Sequence, residues 1–144
     1  MSHQPTSRHS VLVLVLAAVL LSATGPLAGA STPSIRLDDL SQHPSAKPTR
    51  FEVTNDVALS GLRWSHWGAP SATGTGALRI NTCRPICAQG RVRVLQGAQL
   101  QVRGVRIDQG SRYYRQYRIV DPALSPAERA MYSRWTNAYV PSNF

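Results

Sequence analysis

The sequence predicts a mainly β protein, a small antiparallel β-sheet or sandwich of five to six strands with one C-terminal amphipathic helix. Three observations predict it. Arg91-Val92-Arg93-Val94-Leu95 alternates basic and apolar residues, the period of a half-buried strand. Short runs of this kind recur from Phe51 to Val120, separated by glycine, proline and aspartate. A helical period appears only after Ser125, behind a capping sequence.

The first segment in chain order is an export signal. Met1–Ser10 is polar and carries Arg8 but no acid. Val11–Leu21 is then wholly apolar, about half the 20 residues a spanning helix needs. Ala28-Gly29-Ala30 has the small-x-small form of a cleavage site, which predicts a signal peptide over residues 1–30, cut between Ala30 and Ser31. No cysteine follows the apolar run, so lipidation is not expected. Arg8-His9 is not a twin-arginine pair, so export is expected in the unfolded state. Removing the signal takes away one charged residue, Arg8, from a chain with 16 Lys+Arg against 7 Asp+Glu. The mature protein, Ser31–Phe144, is therefore expected to be strongly basic, secreted or held at the cell envelope, and built around one small core.

Ser31–Thr49 is rich in Ser, Thr and Pro and is expected to be an extended, poorly ordered mature N-terminus, so the β-rich domain spans residues 50–144. Phe51-Glu52-Val53 reads as the first strand. In Leu59–Gly68, Leu62 and Trp64 share one face and Arg63 and Ser65 the other. Trp67 stands three residues after Trp64, so the two rings need not adjoin in an extended chain. Pro70–Gly76 reads as a turn-rich connector and Ala77–Asn81 as a short strand. Gly97-Ala98 offers a turn after Arg91–Leu95. Gln99–Ile107 is a further strand whose period slips at Arg103-Gly104, where a bulge is plausible. Asp108-Gln109-Gly110 is a turn, and Tyr113–Val120 is a long strand with apolar residues of both parities. Ser125-Pro126-Ala127-Glu128 combines an N-cap, a first-turn proline and a third-position glutamate. A helix over Pro126–Ala138 follows, with Met131 and Trp135 as its apolar anchors.

Cys83 and Cys87 are the only cysteines, and an oxidising destination favours a disulfide between them. The loop it closes is short, so its stabilisation is small and its main effect is to shape a turn. Three intervening residues, with Pro85 and Gly90 as turn formers, do not suit a thioredoxin-type redox pair. Two thiols alone do not make a metal site, so no metal and no cofactor is expected.

The binding candidates follow from charge. Arg91, Arg93, Arg103, Arg106, Arg112, Arg115 and Arg118 fall on neighbouring strands, and some of them are expected to form a positive face, with Trp67 as an exposed or half-exposed ring. The planar, five-donor guanidinium suits phosphate and carboxylate. The partners this predicts are an anionic cell-wall polymer, a membrane surface or an acidic protein, with no nucleic acid expected. Catalytic residues are not evident. His43 and His66 remain after processing, Ser65 points away from His66 in an extended chain, and Asp56, Asp108 and Asp121 lie at turns. A small secreted hydrolase built on His66, or on two carboxylates among Glu52, Asp56 and Asp108, is the alternative to a non-enzymatic protein. A protease-inhibitor-like protein presenting the Cys83–Cys87 loop is a third reading.

Trp64-Ser65-His66-Trp67-Gly68, then Ala72, Gly74, Gly76, Asn81, Cys83, Pro85, Cys87, Ala88 and Gly90, form one pattern. It resembles a family of small, secreted, uncharacterised actinobacterial proteins with W-x-x-W-G, a glycine-rich connector and N-x-C-x-P-x-C-A-x-G. The resemblance covers Trp64–Gly90 and implies export and a β-rich fold. The chain departs from it in having no further downstream cysteine, so no second disulfide is expected.

Overall fold

The computed structural model describes residues 34–82, 86 and 89–143. The expected signal peptide, its Ala30/Ser31 cleavage site and the Cys83–Cys87 bridge lie outside the described residues. The chain divides into two units, Met1–Ala30 and Ser31–Phe144, and the fold described is that of the second. No helix among the described residues is long and apolar enough to cross a membrane.

The mainly β class holds, and of the expected sheet or sandwich it is a single curled sheet, of seven strands among the described residues. The strands are β1 (Ile35–Arg36), β2 (Arg50–Thr54), β3 (Val57–Ser65), β4 (Ser71–Asn81), β5 (Val92–Asp108), β6 (Ser111–Val120) and β7 (Thr136–Asn137). They lie in the order β1-β6-β5-β4-β3-β2, with β7 also on β6. β2 to β6 are antiparallel neighbours, whereas β1 runs parallel to β6. The β5–β6 hairpin turns at the expected place. Gln109 (φ 46) and Gly110 (φ 77) are both left-handed, as a two-residue turn matched to strand twist requires.

Three expectations along the strands are corrected. Pro70–Gly76 is not a connector, because Ser71–Gly76 is the first half of β4. Gly97-Ala98 is not a turn but lies inside the 17-residue β5. There β5 carries one residue more than β4: Ala77 pairs with Gln96 while Gly76 pairs with Ala98, and Gly97 takes up the extra place at φ 79. Gly104 does adopt a positive φ of 73, but the β5–β6 register does not shift across it. The period slip is real nonetheless. Leu100 and Val102 before it, and Val105 after it, all pack with the core.

A second bulge lies across β4 from the first. On β3, Gly61 (φ 64) and Leu62 together oppose Gly76. A Cβ on Gly76 would stand 2.5 Å from the Ser60 carbonyl oxygen, so only glycine fits between the bulges. Bulges sharpen local twist and bend, and this pair sits where the sheet curls around its contents. Leu59, Leu78, Leu100, Val102, Tyr114 and Ile119 fill the interior.

The N-terminal segment departs most from expectation. The described part of Ser31–Thr49 is built into the domain. Ile35 and Leu37 are core residues, and β1 pairs with β6. Further along, the Leu40 N–H donates to the Glu52 carbonyl on β2 (3.2 Å). One short segment thus reaches both edges of the sheet. Its Ser, Thr and Pro content suggested looseness, but Ile35 and Leu37 supply the apolar contacts that decide the matter.

The helix α1 (Pro126–Tyr132) begins as its sequence predicts. Ser125 and Glu128 form a reciprocal capping box, with Pro126 in the first turn. It ends after seven residues, short of Ala138, and none of its residues is buried. Met131 is 65% exposed, and Tyr132 is the helical residue that packs on the core. Trp135 lies beyond the helix, just before β7. The chain then buries Ala138 and Val140, and the Ser142 N–H donates to Asp108 (3.1 Å). Tyr113 and Tyr114 are both buried, so β6 is covered on both sides at that level.

Candidate anion-binding face

The Gly97 bulge decides which arginines share a face. Adding one residue to a strand exchanges its two sides. Beyond the bulge, Leu95 lies opposite Leu78 and Arg93 opposite Ile80, both on the inner side. Val92 and Val94 are turned outward and are 50% and 46% exposed. Arg93 therefore leaves the expected basic face. Its guanidinium is bonded to Glu128 at 2.6 Å, tying β5 to α1. Burial raises the Glu128 carboxyl pKa, but bonds from the Ser125 backbone, Arg93 and the Ser125 hydroxyl outweigh it and hold the group below its usual range. Arg91 precedes β5, where its backbone is paired with Thr82 at the base of the β4–β5 loop.

Trp67 is half-exposed as expected, but its ring is engaged in a corner rather than standing free beside the arginines. His66 adopts φ 58 and turns the chain, bringing the Trp64 and Trp67 rings to a centroid distance of 4.5 Å. Trp67 also meets Tyr114 edge-on at 5.1 Å. The Trp64 indole donates to the Pro48 carbonyl (2.7 Å) and the Trp67 indole to that of Ile35 (3.2 Å). The Tyr114 hydroxyl accepts from the Gly68 N–H (3.1 Å) and donates to the Ala69 carbonyl (2.8 Å). Burial raises its pKa above the ordinary phenol value, so it stays a donor across the physiological range. The W-x-x-W-G stretch is thus a corner that staples the N-terminal segment to the sheet. His66 is exposed there; its carbonyl accepts from the Ala69 N–H (3.1 Å), and no hydrogen bond or ion pair is formed by its imidazole among the described residues. The hydrolase reading gains no site from it.

The remaining arginines do converge. Arg103 and Gln116 are directly opposed across β5–β6, as are Gln101 and Arg118. Each guanidinium donates through Nε to the amide oxygen of its neighbour, at 3.0 Å for Arg103–Gln116 and 2.8 Å for Arg118–Gln101. Both also stand over the Trp135 ring, at 3.9 Å for Arg103 and 4.6 Å for Arg118. The ring face attracts each cation, by about 0.5–1 kcal/mol at such exposed sites. With Nε anchored and the plane held by the indole, the terminal nitrogens remain as donors toward solvent.

Beside this cluster lies a shallow depression of about 330 Å³ lined by Gly104, Arg106, Arg115, Gln116 and Asn137. Gly104 has no side chain to fill it. Its lining supplies two guanidinium groups and two amides, and no carboxylate. Gln116 links it to the Trp135 cluster, since its amide oxygen receives Arg103. The outward residues of β4 and β5 next to it are Ser71, Thr73, Thr75, Gln99 and Gln101, again without an acid. No carboxylate therefore occurs among these residues, and the charged groups among them are all guanidinium. Arg112 pairs with Ile107 near the hairpin end of the same two strands.

Of the arginines expected on the face, Arg103, Arg106, Arg115 and Arg118 come together, while Arg91, Arg93 and the Trp67 ring stand elsewhere. Trp135 takes the aromatic role assigned to Trp67. Its signal in the sequence was obscured by the helical stripe Ala127, Ala130, Met131, Arg134 and Trp135, which runs past the point where the helix stops. No group of His, Cys, Asp and Glu able to hold a metal occurs among the described residues. No family model, no curated protein and no solved structure matches the chain.

Proposed function

We propose that this chain is an exported, non-enzymatic protein of the secreted or envelope-associated class that binds an anionic envelope polymer through the outer face of β5 and β6. The observation that carries the reading is the depression in which Arg106 and Arg115 stand with the amides of Gln116 and Asn137 and no acid. Guanidinium forks and amide donors are the complement of a phosphate or carboxylate oxygen. The formal net charge of +9, reduced only by Arg8 when the expected signal is removed, adds long-range attraction to any polyanion. Export rests on the Met1–Ala30 signal pattern and on the resemblance carried by Trp64–Gly90.

Retention of the purified protein on anionic cell-wall fractions, measured over a salt series, tests the reading. Binding should fall steeply as added salt shortens the screening length from about 30 Å at 0.01 M to about 8 Å at 0.15 M. A paired Arg106→Glu and Arg115→Glu change should abolish retention, whereas Arg91→Glu, away from the depression, should leave most of it. Equal retention of both variants would sink the assignment of this face.

A further inference from the structure

We infer that the ligand of this face is a linear polyanion lying along β5 and held at both ends, rather than a compact anion. The inference rests on the reading just proposed and specifies the shape of its ligand. A second depression, of about 380 Å³, opens where the two bulges flank β4. Gly61, Gly76 and Gly97 leave its floor bare backbone, with open space where a Cβ would stand at Gly61 and Gly97. Its walls carry Arg63, Thr75 and Gln96. Arg63 is exposed, opposes Thr75 on the outer side of the sheet, and has no acidic partner among the described residues.

The two depressions share one strand. Gln96 borders the first and Arg106 the second. At 3.3 Å per residue, they are about 30 Å apart along β5. Between them the outward positions of β5 are Gln99, Gln101 and Arg103, with Thr73 and Thr75 alongside on β4. Every one offers a hydroxyl, an amide or a guanidinium. A single phosphate or carboxylate occupies one fork and leaves the other end unused. A chain of repeating oxyanions engages both, and once one end is bound the other binds at a high effective concentration. Val92 and Val94, outward but beyond the bulge, bound the track at its Arg63 end with apolar surface.

The test is calorimetric titration of the purified full chain with inorganic phosphate, then with polyphosphates of increasing length, and in parallel with oligogalacturonates, at fixed ionic strength. Affinity should rise at least about tenfold between chains too short to span the track and chains long enough, then level off. Thr75→Glu places a carboxylate directly opposite Arg63. It should remove the gain for long chains while short chains still bind at the Arg106–Arg115 end, with the circular dichroism spectrum confirming an intact fold. A length effect with both polymers supports a general oxyanion track, and one with a single polymer supports the track and names its repeat. Affinity that depends on charge but not on length, or a length effect that survives Thr75→Glu, overturns the track while leaving the binding face in place. Failure to bind any of these polyanions overturns both.

Discussion

The Trp64–Pro70 corner and the outer face of β5–β6 are both rich in hydrogen-bonding side chains, yet they use them in opposite ways. At the corner each donor ends on a backbone partner of the same molecule. Trp64 meets Pro48, Trp67 meets Ile35, and Tyr114 bridges Gly68 and Ala69. On the outer face Arg103 and Arg118 commit Nε to a glutamine and their planes to Trp135, and Arg106 and Arg115 line an open depression. The difference separates a conspicuous motif from the proposed binding surface. The pattern that stands out in the sequence holds the fold together, while the surface proposed to bind is assembled from residues with no motif at all.

Substitutions should sharpen that contrast. The largest effect is expected at the corner. Trp67→Ala removes two ring contacts and the bond to Ile35, and should cost about 3 kcal/mol in urea unfolding. Polyanion binding by the folded fraction should be unchanged, and a matching loss of affinity would break the contrast. Gly76→Ala comes next, since its new methyl would press on the Ser60 carbonyl, a backbone atom that a flexible side chain does not replace. About 2 kcal/mol of destabilisation is expected, read as a lower Tm.

Glu128→Gln should cost about 1 kcal/mol at neutral pH, because it keeps a capping-box residue but gives up the charge paired with Arg93. The folded-state pKa of Glu128 lies below its ordinary value, so its contribution is complete above the unfolded pKa and is lost as pH falls through the folded one. The Tm gap between wild type and variant should therefore close on acidification, and a gap constant down to pH 2 would contradict the ion pair. Smallest in stability is Arg118→Gln, within about 0.5 kcal/mol. Its binding loss should exceed its stability loss, the reverse of Trp67→Ala.

Much of the fold is legible in the sequence, and the failures have specific causes. Alternation located β2, β3, β6 and parts of β4 and β5, though it lost the first half of β4 and split β5 in two, and Ser125–Glu128 marked the helix start. Glycine was the ambiguous letter. At Gly110 it makes a turn, but at Gly97 and Gly61 it makes bulges inside strands, and the choice depends on the partner strand. The same ambiguity misassigned Arg93, because the face of a residue in β5 depends on what happens at residue 97. Ser31–Thr49 was misread because composition averages over residues, whereas Ile35 and Leu37 act singly. Trp135 was misplaced because the helical pattern outlasts the helix. Arg103 and Arg118 were found because they stand at outward positions of neighbouring strands beyond the bulge, whereas Arg115 has the opposite parity to Arg118 on β6 and alternation alone does not bring the two together.

Gly97 has a consequence for how such a chain tolerates change. It works as a phase shift in a two-fold repeat. Deleting it would exchange the environments of Val92, Arg93 and Val94 without altering any of them, carrying two valines inside and parting an arginine from Glu128. In this strand the count of residues carries as much information as their kind. A one-residue deletion there is a larger edit than most substitutions in the core.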